Sequence, residues 1–361
     1  MKKFIVCIIL IALFTLTFSA CGETDSGKYH ASVFYYTFSD TYIAGVRSAL
    51  DKALDQSGIA HQNYDSNSNQ TTQNEQIDTA ISRGTDLLIV NIVTSGSQDA
   101  SSAIVEKARN ANIPVIFFNR AIEDESSEGE VLGSYDQCAF VGTDAAEAGH
   151  LQGKMIGDYV LKNYETLDLN KDGKISYAMF MGQLGNAEAI YRTKYSVEDA
   201  DTILKNAGKQ PLYYFDQSNP NRYQVDQDGN WSATAANNYM TTNLSQYNEK
   251  NNNMIELVIC NNDGMAEGAI SALNDKGYNL GNGKQIPVFG VDATEAAKQL
   301  IKEKKMTGTI RQDSEGMARC IAYLAQNGMA GKLLTDGTEA FELSQVLPNK
   351  IYIPYASYTQ E

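Results

Sequence analysis

Between residues 31 and 310 the chain alternates short, unbroken apolar runs with stretches whose apolar residues recur every three or four positions. That alternation leaves few folds open. A run such as Leu87-Leu88-Ile89-Val90 has no in-out pattern, so both its faces must be covered, as in a parallel strand sandwiched by helices. The pattern predicts strands at 31–38, 86–93, 113–119, 176–182, 212–215, 256–261 and 286–291, with a short one at 309–310. Helices are predicted between them at 42–56, 98–110, 145–162, 265–274 and 294–304; the first of these puts Ile43, Val46, Leu50 and Leu54 on one face. Repeated βα units imply an α/β protein built of doubly wound parallel sheets with right-handed crossovers. The alternation pauses over the acidic, Gly-bearing stretch 122–133 and resumes at 139–142, which divides the chain into two lobes near Thr143.

The first twenty residues stand outside this pattern. Lys2 and Lys3 precede an apolar run from Phe4 to Phe18, and about fifteen residues fall short of the roughly 20 that a membrane-spanning helix needs. The run closes on Phe18-Ser19-Ala20-Cys21, and small residues before a cysteine resemble the lipobox of bacterial lipoproteins. Residues 1–20 are therefore read as a lipoprotein signal peptide, Cys21 as the lipidation site and residues 21–29 as a tether. That reading places the mature chain outside the cytoplasm, anchored to the cell membrane by an N-terminal lipid.

Charge and composition remove other classes. Lys and Arg number 29 against 44 Asp and Glu, for a net charge of −15. Nucleic-acid binding needs clustered cations to neutralise phosphates, so it is excluded. The three histidines, His30, His61 and His150, are too scattered for a His-based metal site or a Ser/His/Asp triad. With Cys7 in the signal and Cys21 lipidated, Cys138, Cys260 and Cys320 remain. An odd number suits no disulfide framework, and Cys260 reads as a small core residue.

In open α/β sheets ligands bind beyond the carboxyl ends of the strands. Here those ends carry Asp40, Asn119, Asn262, Asp292 and Gln312. Planar carboxylates and amides offer two hydrogen bonds in fixed geometry, which suits adjacent hydroxyls on a sugar rim. Any one of them alone is more ordinary as a helix cap or turn residue, and a shared cleft explains finding so many. A glycosidase would need one carboxylate of raised pKa beside an ionised partner; Asn, Gln and Arg around the acids suggest binding without proton transfer, so no enzyme is expected. A DNA-binding regulator of similar fold would need a helix-turn-helix where the export signal stands.

At these residues the chain resembles the periplasmic galactose/glucose-binding proteins of sugar ABC transporters, within the periplasmic binding protein type 1 family. The segments that carry the resemblance are Gln73-Asn74-Glu75-Gln76-Ile77-Asp78, Pro114-Val115-Ile116-Phe117-Phe118-Asn119, Val141-Gly142-Thr143-Asp144, Asp168-Leu169-Asn170-Lys171-Asp172-Gly173, Asn261-Asn262-Asp263 and Pro287-Val288-Phe289-Gly290-Val291-Asp292-Ala293. The resemblance implies two lobes, residues 30–143 with 312–351 and residues 144–311 with 352–361, joined by a three-segment hinge near Thr143, Arg311 and Ile351. It implies that Asp40, Tyr42 and Asn119 serve the sugar from the first lobe, and Asn186, Glu188, Arg192, Trp231, Asn262 and Asp292 from the second. Gln312 adds a polar group from the hinge, and Trp231 and Tyr42 cover opposite ring faces. The family usually has His at Asn186, Asp at Glu188, Asn at Gln312 and Phe at Tyr42. Glucose or galactose would be captured by lobe closure and passed to an ABC transporter permease by a monomer; the alternative is a sensor whose closed form is read by a chemoreceptor or sensor kinase.

A calcium loop is read separately. Asp168, Asn170 and Asp172 occupy positions 1, 3 and 5 of an EF-hand-like loop, with Gly173 at 6, the Lys174 carbonyl at 7 and Ser176 at 9. Position 12 is Met179, which cannot supply a bidentate carboxylate. The resemblance completes the site for structural Ca2+ with Glu256, just before the Asn-Asn-Asp motif.

Overall fold

A computed structural model describes residues 29–124, 126–127, 129–339, 341–344 and 347–360. The signal peptide, Cys21 and nearly all of the tether lie outside these residues. The first unit runs β1 (His30–Tyr35), α1 (Thr41–Gln56), β2 (Ala60–Asp65), α2 (Gln70–Ser82), β3 (Leu87–Val90), α3 (Gln98–Ala111), β4 (Val115–Phe118) and β5 (Cys138–Gly142). The second runs α4 (Ala145–Leu167), β6 (Ser176–Met181), α5 (Ala187–Asn206), β7 (Tyr213–Tyr214), β8 (Gln224–Val225), α6 (Ala233–Gln246), β9 (Leu257–Cys260), α7 (Asp263–Asn274), β10 (Val288–Asp292), α8 (Glu295–Lys302) and β11 (Gly308–Gln312). The chain then returns through α9 (Ser314–Met329), β12 (Glu342–Leu343) and β13 (Lys350–Tyr352) before β14 (Tyr355–Thr359).

These strands build two sheets, β12-β13-β5-β4-β3-β1-β2 and β14-β11-β10-β9-β6-β7, the latter with β8 beside β6. Both are parallel except at one edge, where β12 and β14 pair antiparallel. Every residue of β3, β4 and β9 is buried, which is why their sequences lack alternation. One core lies on each face of the first sheet, and a larger one fills the second lobe.

Two hinge positions differ from expectation. Tyr352 pairs with Gly142 in the first sheet, so the third crossing falls at Ile353 and Pro354 rather than near Ile351. Gln312 pairs with Tyr355 in the second sheet, so it belongs to the second lobe and the middle crossing follows it. In both cases ladder hydrogen bonds carry the strand past the residue where its apolar run ends.

Helices α4 and α5 pack closely because α4 presents Gly149, Gly153 and Gly157 to its neighbour. A Cβ on Gly153 would collide with the carbonyl oxygen of Tyr195, and one on Gly149 with that of Tyr191. This contact positions the N-terminal turns of α5.

Candidate functional site

The carboxyl ends of both sheets face one cleft, and every residue expected to hold sugar lines a single cavity within it. Asp40, Asn186 and Asn262 are the N-cap residues of α1, α5 and α7, accepting from the backbone N–H of Ile43 (2.9 Å), Ala189 (3.2 Å) and Met265 (2.9 Å). The cap role and the cleft role can coexist, since each cap uses one acceptor position of a side chain that has several hydrogen-bonding positions. The second oxygen of Asp40 accepts from the Tyr36 hydroxyl at 2.6 Å.

The cleft backbone is held in sparsely populated conformations. Asn119, Trp231 and Asp292 have φ of 61°, 57° and 125°. Asn tolerates the left-handed region; for Trp and Asp such geometry costs energy and persists only where its surroundings impose it. For Asn119 those surroundings are Asn91, which donates to Phe118 O and Asn119 Oδ1, both at 3.1 Å. Gln73, the first residue of a motif segment, straps Ser66 and the Asn91 carbonyl beneath it. Trp231 is 8% exposed and its ring lies directly on Gly182, where a Cβ would collide with it. The Arg192 guanidinium sits 5.6 Å from the same ring.

Arg192 is the hub of the second lobe's half. Its Nη1 donates to Asn261 O (2.9 Å), and its Nη2 to Glu188 Oε2 (2.9 Å), Gln312 Oε1 (3.1 Å) and the Tyr355 hydroxyl (2.8 Å). Thr143 donates to Glu188 Oε1 at 2.6 Å. Thr143, Gln312 and Tyr355 stand at the three crossings, so one buried network joins the hinge to the cleft. Burial opposes the Arg192 charge, but Tyr355, Glu188 and Asp292 hold its pKa above the ordinary arginine value. Burial, and after it the neighbouring Asp263, push the Asp292 carboxyl well above the usual range, with Arg192 opposing. Burial likewise raises Tyr36, Tyr42 and Tyr355, so their hydroxyls stay protonated.

Three buried donors around this cavity have no partner: Arg120 Nε, Arg192 Nε and Gln312 Nε2. An orphaned buried donor is costly, and three at one cavity point to a ligand rich in oxygen acceptors. Asp40, Glu188 and Asp292 supply acceptors for its hydroxyls, and Trp231 and Tyr42 supply ring faces. A larger cavity beside the hinge shares Asn119, Asn186 and Glu188, but none of its lining residues carries such an unpaired buried atom among the described residues. Sequence reasoning missed Tyr36 and Arg120. The one available signal was the charged residue immediately after Asn119 at the end of β4.

The loop expected to hold calcium connects α4 to β6. Asp168 accepts from the N–H of Asp172 (3.0 Å) and Gly173 (2.9 Å), Asn170 from that of Asp172 (3.2 Å), and Asp172 from that of Lys174 (2.9 Å). The fold brings Glu256 to the same place, where it accepts from the N–H of Leu169 (2.7 Å) and of Ser176 (2.9 Å). An all-oxygen set with three carboxylates fits a hard cation. Among the described residues no three His, Cys, Asp or Glu side chains form a ready-made metal cluster. The carboxylates would therefore exchange N–H partners for the ion.

Comparison with known proteins agrees with this geometry. The periplasmic binding protein domain family matches residues 31–333. The D-galactose/methyl-galactoside binding periplasmic protein of Haemophilus influenzae is 33% identical over 349 residues, which cover 96% of this chain and 95% of that one. An ABC transporter solute-binding protein from Bacillus halodurans with bound myo-inositol superposes with a TM-score of 0.67 at 24% identity, covering 93% of this chain and 96% of that one. Another from Clostridium phytofermentans with bound β-D-glucose gives 0.68 at 18% identity, covering 91% and 94%.

Proposed function

Because the chain belongs to the family of periplasmic binding proteins, we propose that it captures one D-glucose or D-galactose between its lobes and delivers it to an ABC transporter permease. It is a sugar-binding component of such a transporter, works outside the cytoplasm and performs no covalent chemistry. The observation that carries the choice of sugar class is the cavity just described, in which unpaired buried donors and three carboxylates surround two aromatic faces. The name of the Haemophilus relative favours a hexose of the galactose type.

A sugar in this cavity touches both lobes and so binds the closed form more tightly than the open one, which shifts the hinge equilibrium toward closure. Arg192 orients Glu188 and Gln312 toward it, and Trp231 stacks on its C–H face. Calorimetry against a panel of hexoses, pentoses and inositol tests the proposal. D-glucose or D-galactose should bind most tightly and change Trp231 emission, and Trp231→Ala should weaken binding at least about tenfold. A pentose or inositol that binds tighter than both hexoses rejects the assignment. We further infer that the 168–176 loop with Glu256 takes a calcium ion, which would cross-link β6, β9 and the loop without touching the sugar.

A further inference from the structure

We propose that the larger cavity beside the hinge is a second sugar subsite, and that the chain takes its hexose as one unit of a disaccharide whose other pyranose ring lies against Tyr191. The inference rests on the sugar-binding reading, because the first ring is the one held in the smaller cavity.

The larger cavity has a volume of about 690 Å³, and small-molecule sites commonly measure about 300–1,000 Å³. It meets the sugar cavity at Asn119, Asn186 and Glu188, which line both. A ring bonded to the first sugar through one oxygen therefore enters it without leaving the cleft. Its far wall includes Ile122, Glu123 and Leu132, from the acidic stretch that interrupts the alternation of strands and helices. Glu123 fixes that wall, its carboxylate accepting from the N–H of Gly129 (2.9 Å) and of Val131 (2.8 Å). No residue of the stretch lines the sugar cavity.

The lining suits a pyranose. Tyr191 and Tyr195, one turn apart on α5, both line the cavity and lie parallel, with 5.7 Å between ring centroids and 5° between planes. Tyr195 also stacks on His150 of α4 at 4.0 Å, and His150 Nδ1 lies 2.7 Å from an Asp199 carboxylate oxygen. These rings are thus braced before any ligand arrives, which lowers the ordering cost of binding. Beside them Ile190, also in the lining, is 44% exposed. Polar groups stand at the rim. The hydrogen bonds of Asp124 and Asp144 fall on Oδ1, so Oδ2 of each is an acceptor for a ring hydroxyl. Both residues are exposed and stay hydrated without a ligand, which is why this cavity carries no unpaired buried atom. A ring with hydroxyls on its edge and C–H groups on its faces matches aromatic and aliphatic surface framed by carboxylates.

Calorimetry with cellobiose, maltose, lactose and melibiose, beside D-glucose and D-galactose, tests this. At least one disaccharide should bind within about thirtyfold of the better hexose. Tyr191→Ala should weaken that disaccharide at least about tenfold. It should leave hexose affinity within about twofold, because Tyr191 does not line the sugar cavity. Ile190→Trp fills the larger cavity from an exposed position and should discriminate in the same way; if Tyr191→Ala folds poorly, it decides alone. Hexose binding with every disaccharide more than about thirtyfold weaker overturns the proposal. So does a disaccharide that the variants bind like wild type, or one that they weaken only as much as the hexose. Wild-type protein that binds no hexose and no disaccharide rejects the sugar reading itself, and this inference with it.

Discussion

The residues at the strand ends do two things at once, and Asp40 shows how to separate them. Its Oδ1 caps α1 and its Oδ2 holds the Tyr36 hydroxyl, so truncation removes a helix cap as well as a ligand acceptor. Asp40→Ala should therefore cost about 1 kcal/mol of sugar-free stability and weaken sugar binding as well. Asp40→Asn keeps a good cap and should leave the sugar-free melting temperature near wild type. It should still weaken binding, because a charged acceptor is replaced by a neutral one, a difference of about 1 kcal/mol. Thermal melts and calorimetry on both variants check this; an Asn variant that binds like wild type would remove Asp40 from the sugar contacts. The acids and amides were legible because they stand directly after apolar runs. Tyr36 was not, since it continues a run of Tyr and Phe and only its hydroxyl contact with Asp40 distinguishes it. Arg120 was missed because a single charged residue after a strand is usually solvated, and its burial depends on a lobe that begins only after residue 142.

At the scale of elements, the contact between α4 and α5 governs the second lobe's half of the cleft. Asn186, Glu188 and Arg192 ride on or cap the first two turns of α5, and α5 sits where the glycines of α4 let it. Gly153→Ala should force the helices apart, lower stability by about 1–3 kcal/mol and weaken sugar binding, read as a lower melting temperature and a raised dissociation constant. Gly208→Ala, at an open turn with φ of 72°, is a control that should cost stability through backbone strain alone and leave affinity unchanged. The loop between α4 and β6 carries the calcium prediction. Glu256 belongs to the strand region of β9 yet reaches back to Leu169 and Ser176. Chelator should lower the melting temperature and calcium restore it, with about 2.7 kcal/mol at a hundredfold excess over the dissociation constant. Glu256→Gln should remove most of that shift while sugar affinity stays within about twofold. A melting curve that chelator leaves unmoved in metal-free buffer rejects the metal.

The whole molecule is a pair of sheets whose carboxyl ends share one cleft, joined by three crossings that meet at Thr143, Gln312 and Tyr355. These crossings, Arg192 and Glu188 form a single buried network, so ligand contact and hinge geometry are coupled through one guanidinium. The transport role also needs the chain to stay beside its permease. We attribute that to Cys21, on the motive of the apolar run ending in Ser19-Ala20-Cys21. Cys21→Ala should move the protein from the membrane fraction to the soluble fraction, as seen on blotting the two; a variant that remains with the membrane rejects the lipid anchor.

What the sequence determined by itself was whatever local chemistry can encode. Unbroken apolar runs specify strands buried on both faces, helical periodicity specifies what covers them, and the order of the two specifies parallel sheets with polar residues at their ends. The ends of the apolar runs, with the family resemblance, then pointed to Asp40, Asn119, Asn262 and Asp292 as members of one cleft. Only the tertiary structure decided what depends on groups far apart in the chain. Strand β13 ends where a ladder partner more than a hundred residues away allows, so the third crossing lies past Ile351 at Ile353 and Pro354. The environment of Arg120 is made by Val93, Tyr36 and Gln183, drawn from both lobes, and no local pattern records that meeting. Burial, and with it the cost of an unpaired donor, is a property of the closed assembly of lobes.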